Sequence, residues 1–299
     1  MAKYKAKGKY NNNMILTEST NGINWEIPAP IVGNPSNREL KQLFGVSTIP
    51  EVMAKLKIRC ENGFYTGLRT GDYIDGLNLN GLTTSLNYPL QAWNNTAKNN
   101  RFEIVGFDTY KDLNKDGTIV NTKHHIIFAF VDCIIYEVMY TDGRFKNNND
   151  AYYLNTDLAD FVKKFTTLLE QRLGTTLYPL HKKHSTWNSS NWADYKVWVP
   201  SEIEVFGKAI YGNEVLNGAN NTSRKLSMSS TIKLRPYSIT GGGPNGNNPG
   251  RGEAWWATMT PYPKAWKYAF VNILWSGETS YSGGLGAWGA DATVAFCVS

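Results

Sequence analysis

A chain of 299 residues can hold one large domain or two ordinary ones, and its 41% apolar content excludes a disordered protein. Ten Trp and seventeen Tyr stand against only 19% charged residues, a balance that fits both a β-rich core and surfaces that grip ligands with flat rings. Part of the net charge of +6 comes from Lys3, Lys5, Lys7 and Lys9; elsewhere Lys and Arg are scattered among acids, so no basic stripe tracks a phosphate backbone and no nucleic-acid partner is expected.

Three cysteines, Cys60, Cys133 and Cys297, cannot all pair, and two of them lie in apolar runs where a buried thiol acts as a small hydrophobe. That usage predicts folding in a reducing cytoplasm. No apolar stretch follows the basic N-terminus and none approaches the ~20 residues of a membrane helix, so neither a signal peptide nor membrane insertion is expected.

In chain order, residues 1 to 35 are polar and turn-rich, with Asn11-Asn12-Asn13 and then Pro28, Pro30 and Pro35. They read as an extended arm that a partner surface would order. Helical pattern begins at Asn37, and a second short helix is predicted from Ser47 or Thr48, with Pro50 and Glu51 in its first turn. Residues 1–59 are therefore assigned as an attachment segment and 60–299 as the main domain. Thr70 to Ile74 is a turn entering a strand, and Gln91 to Asn99 is a surface helix. Arg101 to Phe107 and His124 to Ile135 are strands, the second buried on both faces. The clearest helix is Asn155 to Leu173, whose apolar residues recur at three- and four-residue spacing until Gly174. Val197 to Pro200 is a strand, and Ser201-Glu202-Ile203-Glu204 is a capping box opening a short helix through Phe206. A Gly-rich loop (Gly241 to Gly252) precedes strands at Ala254 to Met259, Ala269 to Leu274 and Ala292 to Val298.

Asp112, Asn114 and Asp116, followed by Gly117 and Ile119, match the front of a calcium loop, but the closing position is Lys123 where a bidentate carboxylate is needed. The same residues fit a tight hairpin with Asp-Gly at its turn. His124-His125 and the pair His181/His184, the latter placed in a loop beside two lysines, lack companion ligands at metal spacing. The Gly-rich segment lacks the Gly-Lys-Ser/Thr of a phosphate loop, and no Gly-x-Ser-x-Gly elbow or exposed electropositive cysteine is present. Glu202 and Glu204 lie in a first helical turn, where the helix dipole alone accounts for them. No catalysis and no cofactor is expected. The densest feature is C-terminal and aromatic, including Trp266, Tyr268, Trp275, Tyr281 and Trp288. Trp275, Tyr281 and Trp288 lie in or beside the turn-rich run Ser276 to Gly289, which leaves them either facing solvent for recognition or packed under their own loops.

Four segments carry a resemblance: Leu68 to Ile74 (LRTGDYI), Val197 to Gly207 (VWVPSEIEVFG), Trp255 to Tyr262 (WWATMTPY) and Thr293 to Val298 (TVAFCV). In order and spacing they resemble a phage and prophage structural protein family with a C-type-lectin-like domain, akin to formylglycine-generating enzymes and to phage tropism determinants. The resemblance covers roughly residues 60 to 299. It implies an α+β fold: a C-type-lectin-like module of twisted antiparallel strands with two flanking helices, preceded by the extended arm and its short helices. It also implies a virion protein assembled in the bacterial cytoplasm, of tail or head fibre, spike or decoration type. Such a protein would be a homo-oligomer joined to other virion proteins by its N-terminal arm, and its module would bind a host-surface protein or glycan. By analogy the ligand contacts fall on Trp266, Tyr268, Asn272, Trp275, Tyr281 and Trp288. The Glu-Pro-Asn, Gln-Pro-Asp and Trp-Asn-Asp calcium motifs of sugar-binding lectins are missing, Trp187-Asn188-Ser189 being the nearest approach, and so is a reactive cysteine pair. The implied scaffold therefore comes without calcium-dependent sugar binding or oxidase chemistry. Two other classes remain open, a purely structural capsid or tail cementing protein and a cell-wall glycan hydrolase with paired carboxylates.

Overall fold

The computed structural model describes residues 4–10, 13–19, 38–84, 100–131, 133–138, 153–186, 189–210, 225–228, 255–261, 270–274, 279–282 and 289–299. The chain divides into two units, Met1–Asn37 with Thr66–Leu68, and Arg38–Tyr65 with Arg69–Ser299. In the smaller unit, β1 (Tyr4–Tyr10) pairs antiparallel with β2 (Asn13–Ser19) in unbroken register from Tyr4↔Ser19 to Tyr10↔Asn13. Of the segment read as an extended arm, residues 4–10 and 13–19 are thus two paired strands.

Among the described residues, the larger unit mixes helices with sheets whose strand pairs are antiparallel apart from one, an α+β arrangement. It opens with α1 (Leu40–Phe44) and α2 (Ile49–Asn62). Thr48 caps α2: its hydroxyl accepts from Glu51 N while Glu51 Oε2 accepts from Thr48 N at 2.9 Å, reciprocal bonds whose loss costs about 1 kcal/mol. Val52, Met53, Leu56 and Cys60 are buried along one side of α2, so the boundary expected near residue 60 falls inside a helix that packs on the core.

One five-stranded sheet runs β11 (Val197–Trp198), β16 (Ala295–Val298), β7 (Ile126–Phe130), β4 (Phe102–Phe107) and β3 (Tyr73–Ile74), every neighbour antiparallel. Every residue of β7 and β16 is buried, as near-continuous apolar central strands require. Phe102, Phe128, Phe130 and Phe296 meet on one face with centroids 5.2 to 6.0 Å apart, and Phe165 of α3 (Asp157–Leu173) joins Phe130 at 6.2 Å. Each of these rings, removed from water, contributes roughly 1.5–3 kcal/mol. Thr156 caps α3, Gly174 ends it at φ 66°, and the helix packs on α2, β11 and β8 (Ile135–Val138).

The second sheet runs β14 (Thr279–Ser282), β13 (Phe270–Leu274), β12 (Trp255–Pro261), β15 (Gly289–Ala292) and β8, with β12 and β15 parallel. The single strand expected from His124 to Ile135 is thus two strands in two sheets. Phe130 N bonds Val294 O, Thr293 Oγ1 bonds Phe130 O and Ile134 N bonds Ala292 O, so two paired segments bend together from one sheet into the other. Apolar continuity marks burial but carries no signal for a bend. Within the turn-rich run read for 276–289, residues 279–282 form strand β14. The larger unit also holds two further hairpins, β5 (Leu113–Lys115) with β6 (Thr118–Val120) and β9 (Leu180–Ser185) with β10 (Ser190–Tyr195), and α4 (Glu202–Phe206). The helix read at 91–99 and the Gly-rich loop lie outside the described residues. Among those described, no helix is long and apolar enough to cross a membrane.

Candidate functional site

Asp112, Asn114 and Asp116 lie on the β5–β6 hairpin, whose Asp116-Gly117 turn has φ 50° and 84°, the two positive values of a tight two-residue hairpin turn. Asn114 Oδ1 accepts from Gly117 N at 2.9 Å and Asp112 pairs with Lys111 at 2.6 Å. Among the described residues no group of three His, Cys, Asp or Glu is placed to hold a metal. Of the C-terminal candidates, Asn272 is in β13 opposite Ser280, and Tyr281 is in β14 opposite Val271, so they occupy neighbouring register positions and not a shared one. Trp266, Tyr268, Trp275 and Trp288 lie outside the described residues, as does Trp187-Asn188.

His181 and His184, expected in a loop, are on strand β9. Pairing with β10 sends Leu180, Lys182 and His184 inward and His181 and Lys183 outward, as strand alternation requires. The inner face holds a charge. Lys182 is 2% exposed and its ammonium lies 2.6 Å from Glu204 Oε1. It is also 4.3 Å from the Trp198 ring centre, with the Tyr195 and Tyr110 rings at 5.2 and 5.5 Å. Burial pulls this ammonium below its ordinary value, against the attraction of Glu204. Glu204 Oε1 also accepts from Tyr110 OH at 2.7 Å and Trp198 Nε1 at 3.0 Å, and Oε2 accepts from Ser201 N at 2.8 Å. One carboxylate therefore ties together β9, β11, the start of α4 and the loop after β4. This corrects the reading in which the helix dipole alone accounts for Glu204. The capping box is present, but the same side chain is wholly buried and does most of its bonding elsewhere.

The outer face of the same hairpin carries His181, Trp192 and Asp194. The His181 and Trp192 rings stack at 5.2 Å with 5° between their planes. Lys115 Nζ is 3.2 Å from His181 Nε2, and His181 Nδ1 is 2.7 Å from Asp194 Oδ1. An ammonium can only donate, so Nε2 accepts and the ring proton is on Nδ1, directed at Asp194. Asn121 fixes the strand beneath: its amide donates to His181 O at 2.6 Å and its oxygen accepts from His181 N at 2.7 Å, joining β9 to the loop after β6. Asp194 also lines a shallow cleft of ≈ 220 Å³ with Lys163, Thr166 and Val162 of α3, Tyr153 and Lys196.

A third polar group surrounds Asp108, just after β4. Its carboxylate accepts from Tyr65 OH at 2.9 Å and His125 N at 2.8 Å and faces His124 Nδ1 at 2.6 Å. Burial works against its ionisation, but the bonds from His125, His124 and Tyr65 outweigh that and hold it below the usual carboxylate range. The nearby Cys60 thiol is pushed by burial up to about 12 and Cys297 well above its ordinary value, so neither supplies a thiolate to the Asp108–His124 pair.

Lys182, Trp192, Asp194 and Tyr110 carry no sequence signal of these roles. The alternation Trp192-x-Asp194 against His181-x-Lys183 would have revealed the outer face only if the hairpin register had been known. Compared with family models, curated proteins and solved structures, the chain gives no match.

Proposed function

We propose that the chain is a bacteriophage or prophage virion protein whose larger unit is a C-type-lectin-like module that binds a host surface or a protein and makes or breaks no bond. The observation that carries this reading is how the four resembling segments meet. LRTGDYI supplies β3 and the buried Asp72, gripped by Arg38 at 2.9 and 2.7 Å, and joins the main sheet through β4. VWVPSEIEVFG supplies β11, which pairs with β16 of TVAFCV. It also bonds WWATMTPY through Met259 N to Pro200 O and Glu202 N to Thr260 Oγ1. Segments spread over more than two hundred residues are knitted into one scaffold, as a shared fold signature would be, and α2 and α3 are available as its two flanking helices. Three buried free cysteines suit assembly in a reducing cytoplasm.

In this reading the N-terminal segment attaches the protein to other virion proteins, and the symmetry of the particle makes it a homo-oligomer. Peptide mass spectrometry of purified particles from a producing strain is expected to find the chain in stoichiometric copies, with the larger unit outermost in cryo-microscopy. Particles that lack it, or release of soluble sugar from cell walls by the purified protein, would overturn the proposal.

A further inference from the structure

We propose that the outer face of β9–β10, with the cleft beside it, is a binding site for a neutral pyranose oligosaccharide. The inference rests on the binding role proposed above but places it on Trp192, His181, Asp194 and Lys115, away from the C-terminal aromatics. A pyranose has one apolar C–H face and a rim of hydroxyls, so it is held by a flat ring together with planar or charged groups that both accept and donate. This surface offers that set already in place. Trp192 is half-buried and backed by the parallel His181 ring. His181 is in turn fixed at both nitrogens by Lys115 and Asp194 and at its backbone by Asn121. Side chains held this way lose little freedom on binding.

Asp194 is 67% exposed, and its Oδ2 makes no hydrogen bond among the described residues, leaving an acceptor for hydroxyls. Lys115 supplies the matching donor. Trp192 and Asp194 are two residues apart on one strand, about 7 Å, and Asp194 also forms part of the cleft wall. One sugar on Trp192 is therefore continuous with a second against Asp194. Charge selects the neutral class. Both cleft lysines already face acids, Lys163 with Asp160 at 3.0 Å and Lys196 with Glu170 at 2.8 Å, and Asp194 itself repels a polyanion. Lys115 and Lys183 on the same face stand beside Asp194, so a phosphate polymer or nucleic acid would meet two lysines next to a carboxylate and not a continuous cationic track.

The test is an array of neutral hexose and N-acetylhexosamine oligosaccharides beside a glycerol-phosphate polymer and polygalacturonate, probed with the full chain and followed by titration calorimetry. Neutral oligosaccharides should bind, and Trp192→Ala should lower affinity about tenfold or more. Asp194→Asn, at an exposed position that leaves the fold intact, should weaken binding several-fold, and Trp192→Phe should retain most of it. The site is overturned if no neutral oligosaccharide binds, if only the anionic polymers bind and salt abolishes it, or if Trp192→Ala and Asp194→Asn bind like the parent. If both variants still attach to host cells as part of a particle, the site fails while the virion reading stands. If the chain is in no particle yet loses oligosaccharide binding with Trp192→Ala, the reverse holds.

Discussion

The two faces of the β9–β10 hairpin are built from the same kinds of residue and do opposite things. Inside, Tyr110, Lys182, Tyr195, Trp198 and Glu204 form a set in which a charge is caged by three rings and one carboxylate with four donors. Outside, Lys115, His181, Trp192 and Asp194 repeat the chemistry at an exposed carboxylate, one oxygen of which takes no hydrogen bond among the described residues. The difference is solvent. In a low dielectric every polar group must be satisfied by another, so the inner set is a structural lock. Next to water the same groups are weakly coupled and remain available to a ligand.

The largest expected effect comes from breaking the inner lock. Glu204→Ala leaves Lys182 buried without its partner and should cost about 3–5 kcal/mol, read as a shift of the urea unfolding midpoint. Lys182→Met combined with Glu204→Gln should recover much of that loss, and full additivity of the two single changes would show that they are not a pair.

Acid should attack the same face. Burial and the neighbouring Lys182 push His184 down to about 3, against an ordinary value of 6.5. Above pH 6.5 neither folded nor unfolded chain holds that proton. Between pH 6.5 and 3 the unfolded chain takes up a proton the folded one refuses, so stability falls by up to about 1.4 kcal/mol per pH unit. His125, lowered by burial, acts in the same direction. Denaturant titrations at pH 7, 5.5 and 4 should show the fall, and His184→Gln should flatten it.

Smaller again is Tyr110→Phe, which removes one donor to Glu204 and should cost about 1.5–3 kcal/mol, with Lys182 and Trp198 still bonded. Smallest is Asp194→Ala on the outer face, where an exposed pair with His181 is worth under about 1 kcal/mol and the melting temperature should barely move. An outer-face change that unfolded the protein as readily as Glu204→Ala would erase the distinction between the two faces.

Local chemistry was legible in the sequence. Ser201-x-x-Glu204 is a capping box, Gly174 ends α3, Asp116-Gly117 turns a hairpin, and Cys133 and Cys297 are thiols buried in apolar runs, because each of these depends on a few neighbouring residues. Long-range meaning was not. HKKHS has no apolar alternation, so nothing local separates buried Lys182 from its outward neighbours His181 and Lys183. Burial there is set by Glu204, twenty-two residues on, and by Tyr110, seventy-two residues before.

By itself, then, the sequence determined the capped helices, the apolar central strands and the absence of a phosphate loop or nucleophile elbow, all of which follow from local preference and hydrophobic period. Only the tertiary structure decided that the apolar run after His125 divides between two sheets, that Glu204 is an interior hub, and that His181, Trp192 and Asp194 share a face. Those outcomes depend on strand register and on which polar groups lose water together, and neither is encoded within a few residues of the side chain concerned.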